Sequence, residues 1–209
     1  MKRNLLLFLV VAGLFATSCR KSPNYDQLSS NFVVVTNADT TVAFNAFKTY
    51  YISDTISYLS SSSDDTILYD DNAKKLVQTV KDNMNARGYS FVAKNNHPDL
   101  GFNLGVVKTL NVGVSYPGWW WGYPGWWDPW YWGWYYPYYY PWSITYVVTT
   151  GTVILDMVDL KDAESKKQLR VLWNGYMGGA VGSDVGGNVQ RGVDAINQSF
   201  EQSPYIKAN

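Results

Sequence analysis

The feature that most limits how this chain can fold is an aromatic segment at residues 116–142. Its 27 residues include nine Trp, eight Tyr, five Pro and four Gly, and the whole chain has only one further Trp. So many prolines and glycines exclude a regular helix and a central strand from this stretch. Strand-forming residues lie on both sides, so the segment is predicted to be a long loop that leaves a sheet and returns to it.

The apolar surface of the aromatic segment requires a partner. Its seventeen Trp and Tyr side chains carry on the order of 3,000 Å² of largely apolar surface. That area exceeds the largest exposed patch of a typical monomer, about 300–600 Å². Four partners are compatible with this composition: the segment itself, the rest of the domain, the membrane interface, or another molecule, which is either a glycan stacked on the flat rings or a protein. The residues singled out for contact are Trp119, Trp120, Trp121, Trp126, Trp127, Trp130, Trp132 and Trp134.

The N-terminus has the pattern of an export signal. Lys2 and Arg3 precede an apolar run from Leu5 to Ala16. At about 1.5 Å per residue this run reaches about 18 Å, which is too short for a hydrocarbon core of about 30 Å. Residues 1–18 are therefore predicted to be a secretory signal peptide and not a membrane span.

The signal ends in Ala-Thr-Ser-Cys at residues 16–19, which resembles the lipobox of bacterial lipoproteins. In that motif the cysteine thiol receives diacylglycerol, so Cys19 is the predicted lipid anchor and residues 19–31 a polar tether. The alternative is an unmodified thiol near an ordinary cleavage site. Arg20 and Lys21 stand where an acidic cluster would direct export to the cell surface. We therefore expect an outer-membrane protein that faces the periplasm, with the cell surface as the alternative.

Charge and ligand chemistry narrow the function further. Seventeen basic and seventeen acidic residues balance, which disfavours a nucleic-acid partner. One Cys and one His argue against a zinc cluster, and we expect no metal and no cofactor. His97 lies in a polar loop, and Asp156 and Asp159 are interpreted as a solvated strand edge and turn. Without a catalytic motif, we expect a protein that is not an enzyme.

Apolar residues spaced three and four positions apart predict two helices. Asp70 or Asp71 is placed to cap the first helix, and Gly88 to end it. The apolar face of this helix consists of Ala73, Leu76, Val77, Val80 and Met84. The second helix ends before Pro204, and its apolar face consists of Val189, Val193, Ile196 and Phe200.

Alternating or β-branched residues predict strands at 32–36, 47–52, 99–107, 144–149, 151–159 and 169–176. The last two are separated by one short polar turn and predict a hairpin. Residues 53–65 are rich in Ser and Asp and predict a loop. The whole pattern predicts an α+β fold in which two helices pack on a mainly antiparallel sheet. One domain is expected over residues 32–206, with the aromatic segment as an insertion.

Several motifs, taken in order along the chain, resemble one known family. They are FNAFKTY at 44–50, RGY at 87–89, PDLGF at 98–102, GTVILD at 151–156 and LWNGY at 172–176. Together with the closing helix they resemble the bacterial lipoproteins grouped as domain of unknown function 4136. The resemblance implies an envelope lipoprotein with a small α+β domain. It implies no catalytic residues, because that family has no agreed activity. The expected partners are the membrane, through Cys19, and an envelope protein or glycan. We expect a structural or interaction protein of the envelope, and the alternative is a carbohydrate- or peptidoglycan-binding module that uses the aromatic segment.

Three short motifs indicate candidate modification sites. The triplets Asp-Thr-Thr at 39–41, Asp-Thr-Ile at 54–56 and Asp-Thr-Ile at 65–67 resemble an acceptor motif for periplasmic O-glycosylation. Thr40, Thr55 and Thr66 are the corresponding acceptor residues. The pattern is short, and it also arises by chance in a region rich in Ser, Thr and Asp.

Overall fold

The structure is a computed structural model, and it describes residues 32–60, 67–109, 114–115, 118–122, 126, 136–143, 146–147, 151–182 and 189–208. The predicted signal peptide, Cys19 and the tether lie outside these ranges. No helix within the described ranges is long and apolar enough to cross a membrane.

Eleven strands are defined in the described residues. They are β1 Val33–Ala38, β2 Thr49–Ile52, β3 Ile56–Ser60, β4 Ile67–Leu68, β5 Ser90–Phe91, β6 Leu100–Thr109, β7 Val114–Ser115, β8 Tyr138–Tyr139, β9 Tyr146–Val147, β10 Val153–Asp159 and β11 Leu169–Gly178. The main sheet has the order β1-β11-β10-β6-β2-β5. Strand β3 also pairs with β6 and β4, β8 pairs with β11, and β7 pairs separately with β9.

The sheet is antiparallel at its centre and parallel at its margins. Strands β1, β11, β10 and β6 are joined by three antiparallel pairings. Strands β2 and β3 lie parallel to β6, and β8 lies parallel to β11. The α+β prediction is confirmed, and the three long antiparallel pairings of the four central strands account for its mainly antiparallel character.

The predicted hairpin is formed by β10 and β11, which are connected by the short helix α2, Ala163–Lys166. A bulge between Met157 and Val158 shifts the register of the pair. Such a bulge increases the local twist of a strand. All seven residues of β10 are buried, so both faces of this strand are covered by other parts of the protein.

The two predicted helices are α1, Asp71–Ala86, and α3, Val189–Glu201. Asp70 caps α1, because its Oδ1 accepts a hydrogen bond from the backbone N–H of Ala73 at 2.7 Å. Gly88 follows α1 with φ +87°, a left-handed conformation that glycine adopts without steric cost. The apolar stripes of both helices pack on one face of the sheet and form one core with it, as the spacing predicted.

The prediction of a loop over residues 53–65 is wrong for β3. Residues 57–60 of this strand lie parallel to β6. Ile56 joins the core under the helices, and Leu59 joins a cluster on the other face of the sheet. These two apolar side chains are enough to place the segment in the sheet, although its Ser and Asp content is typical of a loop. Residues 61–66 lie outside the described residues.

The two faces of the sheet are covered by different material. One face, the inner face, is covered by α1 and α3. The other, the outer face, is covered by residues of the aromatic segment. There, Trp120 and Trp126 pack against Leu59, Val107, Ile154 and Tyr176. The described protein is therefore layered as helices, sheet and aromatic segment.

Candidate functional site

A row of polar residues crosses the outer face of the sheet. Asn37 of β1 pairs with Asn174 of β11, Asn174 pairs with Asp156 of β10, and Asp156 pairs with Asn103 of β6. Directly paired residues of antiparallel strands project to the same face. These four residues therefore form one polar row, which lies beneath the aromatic segment.

The carboxylate of Asp156 is the centre of a hydrogen-bond network. Its Oδ2 accepts hydrogen bonds from Trp120 Nε1 at 2.7 Å, Trp121 Nε1 at 2.9 Å and the Tyr140 hydroxyl at 2.5 Å. Its Oδ1 accepts a hydrogen bond from Asn174 Nδ2 at 2.7 Å. Three of the four donors belong to the aromatic segment. Asp156 therefore attaches two separate parts of that segment, residues 118–122 and 136–143, to the sheet.

Burial changes the protonation of this network. It raises the pKa of Asp156 to about 6, even though the hydrogen bonds from Tyr140, Trp120, Asn174 and Trp121 act to lower it. The pKa of Tyr140 is raised well above its ordinary value, first by burial and then by the negative charge of Asp156. At neutral pH Asp156 is therefore predominantly ionised, and its hydrogen bonds are of the strong, charge-assisted kind.

The interpretation of Asp156 and Asp159 as a solvated strand edge and turn is wrong. Asp156 is 0% exposed and Asp159 is 5% exposed. Asp156 is covered because the aromatic segment folds back over β10. Asp159 lies at the start of the hairpin turn, where its Oδ1 accepts a hydrogen bond from the backbone N–H of Asp162 at 3.0 Å. Nothing local in the sequence signals this burial.

Of the tryptophans predicted as contact residues, the structure describes the side chains of Trp120, Trp121 and Trp126, and these are buried or half-buried. Trp120 and Trp126 are fully buried, so they cannot touch a ligand in this conformation. Trp121 is partly buried against the same layer. The side chain of Trp119 lies outside the described residues, as do Trp127, Trp130, Trp132 and Trp134. For the described tryptophans, packing within the protein replaces the expected external contact.

Among the side chains of the segment that the structure describes, the exposed aromatic ones are tyrosines, which the sequence analysis did not single out. Tyr138 is 42% exposed and Tyr139 is 44% exposed. The half-buried Tyr136 lies beside them, and Lys167 Nζ donates a hydrogen bond to its hydroxyl at 3.2 Å. We call the edge formed by Tyr136, Tyr138 and Tyr139 the tyrosine ledge; Tyr138 and Tyr139 are consecutive residues of β8, so their side chains project to opposite sides of that edge. These tyrosines could be recognised only in the fold, where the short tyrosine strand β8 pairs with β11.

The ledge is connected to the Asp156 network. The ring of Tyr138 stacks on the ring of Trp121, with centroids 5.1 Å apart and planes at 27°. Gly118, with φ +83°, lies against Tyr138 and Tyr140, and a Cβ atom there would approach both rings to within 2.9 Å. Glycine is therefore required at the point where the two described parts of the segment meet.

Two buried N–H donors on the outer face have no hydrogen-bond partner in the described structure, Asn103 Nδ2 and Trp126 Nε1. The Trp126 ring lies against Gly105, two residues after Asn103 in β6. An unpaired buried donor costs free energy. This part of the outer face therefore has donors in excess, and its acceptor, Asp156, is already bound on both oxygens.

The remaining candidate residues lie apart from this network. His97 is exposed, with φ +49°. Thr40 is exposed, whereas the half-buried Thr55 shares a hydrogen bond with the Ser53 hydroxyl at 2.7 Å. Thr66 lies outside the described residues. Within those residues, no group of three or more His, Cys, Asp and Glu side chains could hold a metal ion.

The chain matches one known protein family. The model of the family described as "Domain of unknown function (DUF4136)" matches residues 34–205. The chain belongs to the DUF4136 family. A crystal structure of a DUF4136 family protein from Bacteroides thetaiotaomicron is 37% identical, with a TM-score of 0.74, over 86% of this chain and 99% of that one. The resemblance inferred from the sequence motifs is thus confirmed, as is the fold class.

More distant similarity to this DUF4136 protein is weak. The PelC dodecamer from Paraburkholderia phytofirmans is 10% identical, with a TM-score of 0.41, over 85% of this chain and 99% of that one. Similarity at this level does not extend to function. No curated protein sequence matches the chain significantly.

Proposed function

We propose that this DUF4136 protein is a non-enzymatic outer-membrane lipoprotein that faces the periplasm and binds an envelope partner through its aromatic segment. The observation that carries the proposal is the attachment of that segment to the sheet by three hydrogen bonds from Trp120, Trp121 and Tyr140 to one buried carboxylate, Asp156. The described parts of the segment are held in one arrangement on the sheet, and the tyrosine ledge is the proposed contact surface.

Fixing a contact surface in advance favours binding. An irregular segment that orders only on binding must lose its conformational entropy at that moment, whereas a fixed one has already lost it. Burying a carboxylate costs free energy, and an apolar residue at position 156 would cover the sheet without that cost. The use of a charged group supports a role in positioning the aromatic side chains, beyond the filling of space.

Attachment to the membrane is supported by the sequence pattern that ends at Cys19. We expect an alkyne-tagged fatty acid fed to the native host to label the protein, and the Cys19→Ala variant to remain unlabelled. Density-gradient fractionation should place the labelled protein with the outer membrane. Protease added to intact cells should leave it uncut, because the proposed location faces the periplasm. Cleavage in intact cells would instead indicate the cell surface.

Contact through the ledge is tested by site-specific photocrosslinking in intact cells. A photoreactive amino acid at position 139 should capture a discrete envelope component. The same group at Tyr205, which is 46% exposed on another part of the protein, is the matched control. Capture should weaken when Asp156→Asn is combined with the probe at position 139. Equal capture from both positions, or none from position 139, would contradict the proposal.

A further inference from the structure

We propose that the tyrosine ledge is a glycan-binding platform and that its ligand is the neutral, N-acetylated sugar backbone of peptidoglycan. This inference rests on the proposed function and specifies its partner. It is carried by three observations on the described residues: the geometry of the Tyr138–Trp121 stack, the polar character of the exposed side chains around it, and the position of the ledge in the sheet.

The Tyr138 ring stays partly exposed within the stack. Tyr138 lies at 27° to Trp121, so one side of its ring is covered by the indole while the residue stays 42% exposed. Trp121 is held in turn by its hydrogen bonds to Asp156 and to the Tyr140 hydroxyl, at 2.9 and 3.0 Å. The orientation of the Tyr138 ring is thus set before any ligand arrives. The axial C–H groups of a pyranose ring pack well on such a flat, fixed aromatic face.

The surroundings favour a hydroxylated ligand over a membrane. Within the described residues the large exposed aliphatic side chains are Val33 and Ile67, and neither belongs to the aromatic segment. A surface that inserts among acyl chains presents large apolar groups such as Leu, Phe or Trp. The ledge instead offers aromatic rings that carry hydroxyl groups. Tyr136 and Lys167 provide polar atoms beside the rings, 3.2 Å apart, that can bond to sugar hydroxyl and acetamido groups.

Charges near the ledge are mixed, which disfavours a polyanion. The amine of Lys166 pairs with Asp162 at 2.6 Å, and Glu164 lies in the same short helix, α2. Lys167 is already engaged by Tyr136, over whose ring its amine lies 5.2 Å from the centroid. Such a surface gives no net attraction for a strongly charged polymer. A neutral glycan is the ligand class that suits it.

The position of the ledge also suits this partner. The chain enters the sheet at Val33, which pairs with Gly178 at the end of β11. Tyr138 pairs with Leu169, at the beginning of the same strand. At about 3.3 Å per residue these two ends are about 30 Å apart. The ledge therefore lies at the end of the sheet far from the residues to which the predicted membrane tether connects.

The test is co-sedimentation of the purified full chain with isolated peptidoglycan sacculi, together with calorimetric titration by chitotetraose, a neutral chain of four N-acetylglucosamine rings. We expect binding in both assays. The Tyr138→Ala variant should lose at least tenfold in affinity because the platform is gone. Tyr138→Phe keeps the ring and should bind within about threefold of the parent. Tyr205→Ala, which removes an equally exposed tyrosine elsewhere, should leave the affinity unchanged.

Several outcomes would overturn the inference. These are the absence of binding to both probes, equal affinity of the Tyr138→Ala variant, or sedimentation of the Cys19→Ala protein, which has no acyl anchor, with phosphatidylethanolamine–phosphatidylglycerol vesicles in place of sacculi. If the glycan probes fail while crosslinking from position 139 still captures a discrete protein, the ligand class is wrong and the proposed contact surface stands. If both experiments fail, the proposed function fails with it.

Discussion

At the scale of single residues, Asp156 has an unusual environment for a carboxylate. It is fully buried, and its hydrogen-bond partners are two indoles, a phenol and an amide, all of them uncharged. Desolvation penalises the ionised form, while the four donors stabilise it. Burying this carboxylate thus costs part of the stability of the fold, and its hydrogen bonds fix the arrangement of the aromatic side chains.

Removing this carboxylate should be expensive. The Asp156→Ala variant leaves four donors without their acceptor, and we expect its free energy of unfolding to fall by about 3–5 kcal/mol. Urea denaturation followed by tryptophan fluorescence measures the change. Asp194 is the control, because it is exposed and its Oδ1 accepts a hydrogen bond from the exposed Gln190 at 2.9 Å. Asp194→Ala should stay within about 0.5 kcal/mol of the parent, and similar losses in both variants would contradict the assigned role.

The same residue predicts a pH dependence. The pKa of Asp156 is about 6 in the folded protein, against 3.8 as the ordinary value. Between these values the folded state binds the proton more tightly than the unfolded state, so this group makes the protein more stable as the pH falls from 7 through 6 towards 4. Relative to Asp156→Asn, the free energy of unfolding of the parent should rise by up to about 3 kcal/mol. Denaturant titrations of both proteins at each pH test this. A parent whose free energy of unfolding falls relative to that of Asp156→Asn on acidification would refute the prediction.

At the scale of elements, strand β6 is shaped to receive the aromatic layer. A Cβ atom at Gly105 would lie 2.2 Å from Trp126 Cζ3, so the indole occupies the space that any larger residue would need. The neighbouring outer-face positions of β6 are Gly101 and Asn103, whereas its inner-face residues Leu100, Phe102, Leu104 and Val106 are all apolar. The outer face of β6 thus has small or polar residues beneath the aromatic segment, and its inner face has apolar residues beneath the helices.

This packing predicts that Gly105→Ala is destabilising. The added methyl group must displace Trp126, and we expect a loss of about 1–3 kcal/mol in the free energy of unfolding. Gly178→Ala is the matched control in β11, because its Cβ would meet Tyr176 Cε1 at an ordinary 3.6 Å. The control should remain within about 0.5 kcal/mol. Chemical denaturation of the two variants decides the matter, and equal stabilities would show that Trp126 does not rest on β6.

Local signals predicted some elements well and others poorly. The spacing around α1, its Asp70 cap and its Gly88 terminator were all readable, because a helix and its ends depend on neighbours a few positions away. Strand β3 was missed because its pairing with β6 is non-local and its composition is typical of a loop. The tyrosine strand β8 was missed for the same reason.

At the scale of the whole molecule, the described parts of the aromatic segment lie where a second layer of helices would otherwise cover the sheet. It covers the face of the sheet opposite α1 and α3, and supplies Trp120 and Trp126 to the cluster there. A sheet with one face uncovered would expose Leu59, Val107 and Ile154. The segment is therefore a structural layer as well as the proposed contact surface, and its two roles are separable by mutation.

Replacing residues 116–142 with a short Gly/Ser linker should uncover that face. We expect strong binding of the dye ANS and a free energy of unfolding lower by about 3–6 kcal/mol, from the lost burial of two large indoles. The far-ultraviolet helix signal should persist. Replacing only residues 127–135 keeps Trp120, Trp126 and Tyr140, so this control should bind little dye. An ANS-negative, fully stable variant lacking the whole segment would show that it is not a layer.

The sequence by itself determined the two helices and their ends, the β10–β11 hairpin, the α+β class and the family. Each of these depends on periodicity, caps or short motifs within a few residues. Tertiary structure alone decided that Asp156 is buried, because its covering residue Trp120 is 36 positions away in the chain. It also decided that, among the described residues of the aromatic segment, Tyr138 and Tyr139 are exposed and Trp120 and Trp126 are core. Burial depends on which layer covers a sheet face, and that is a property of contacts between distant segments.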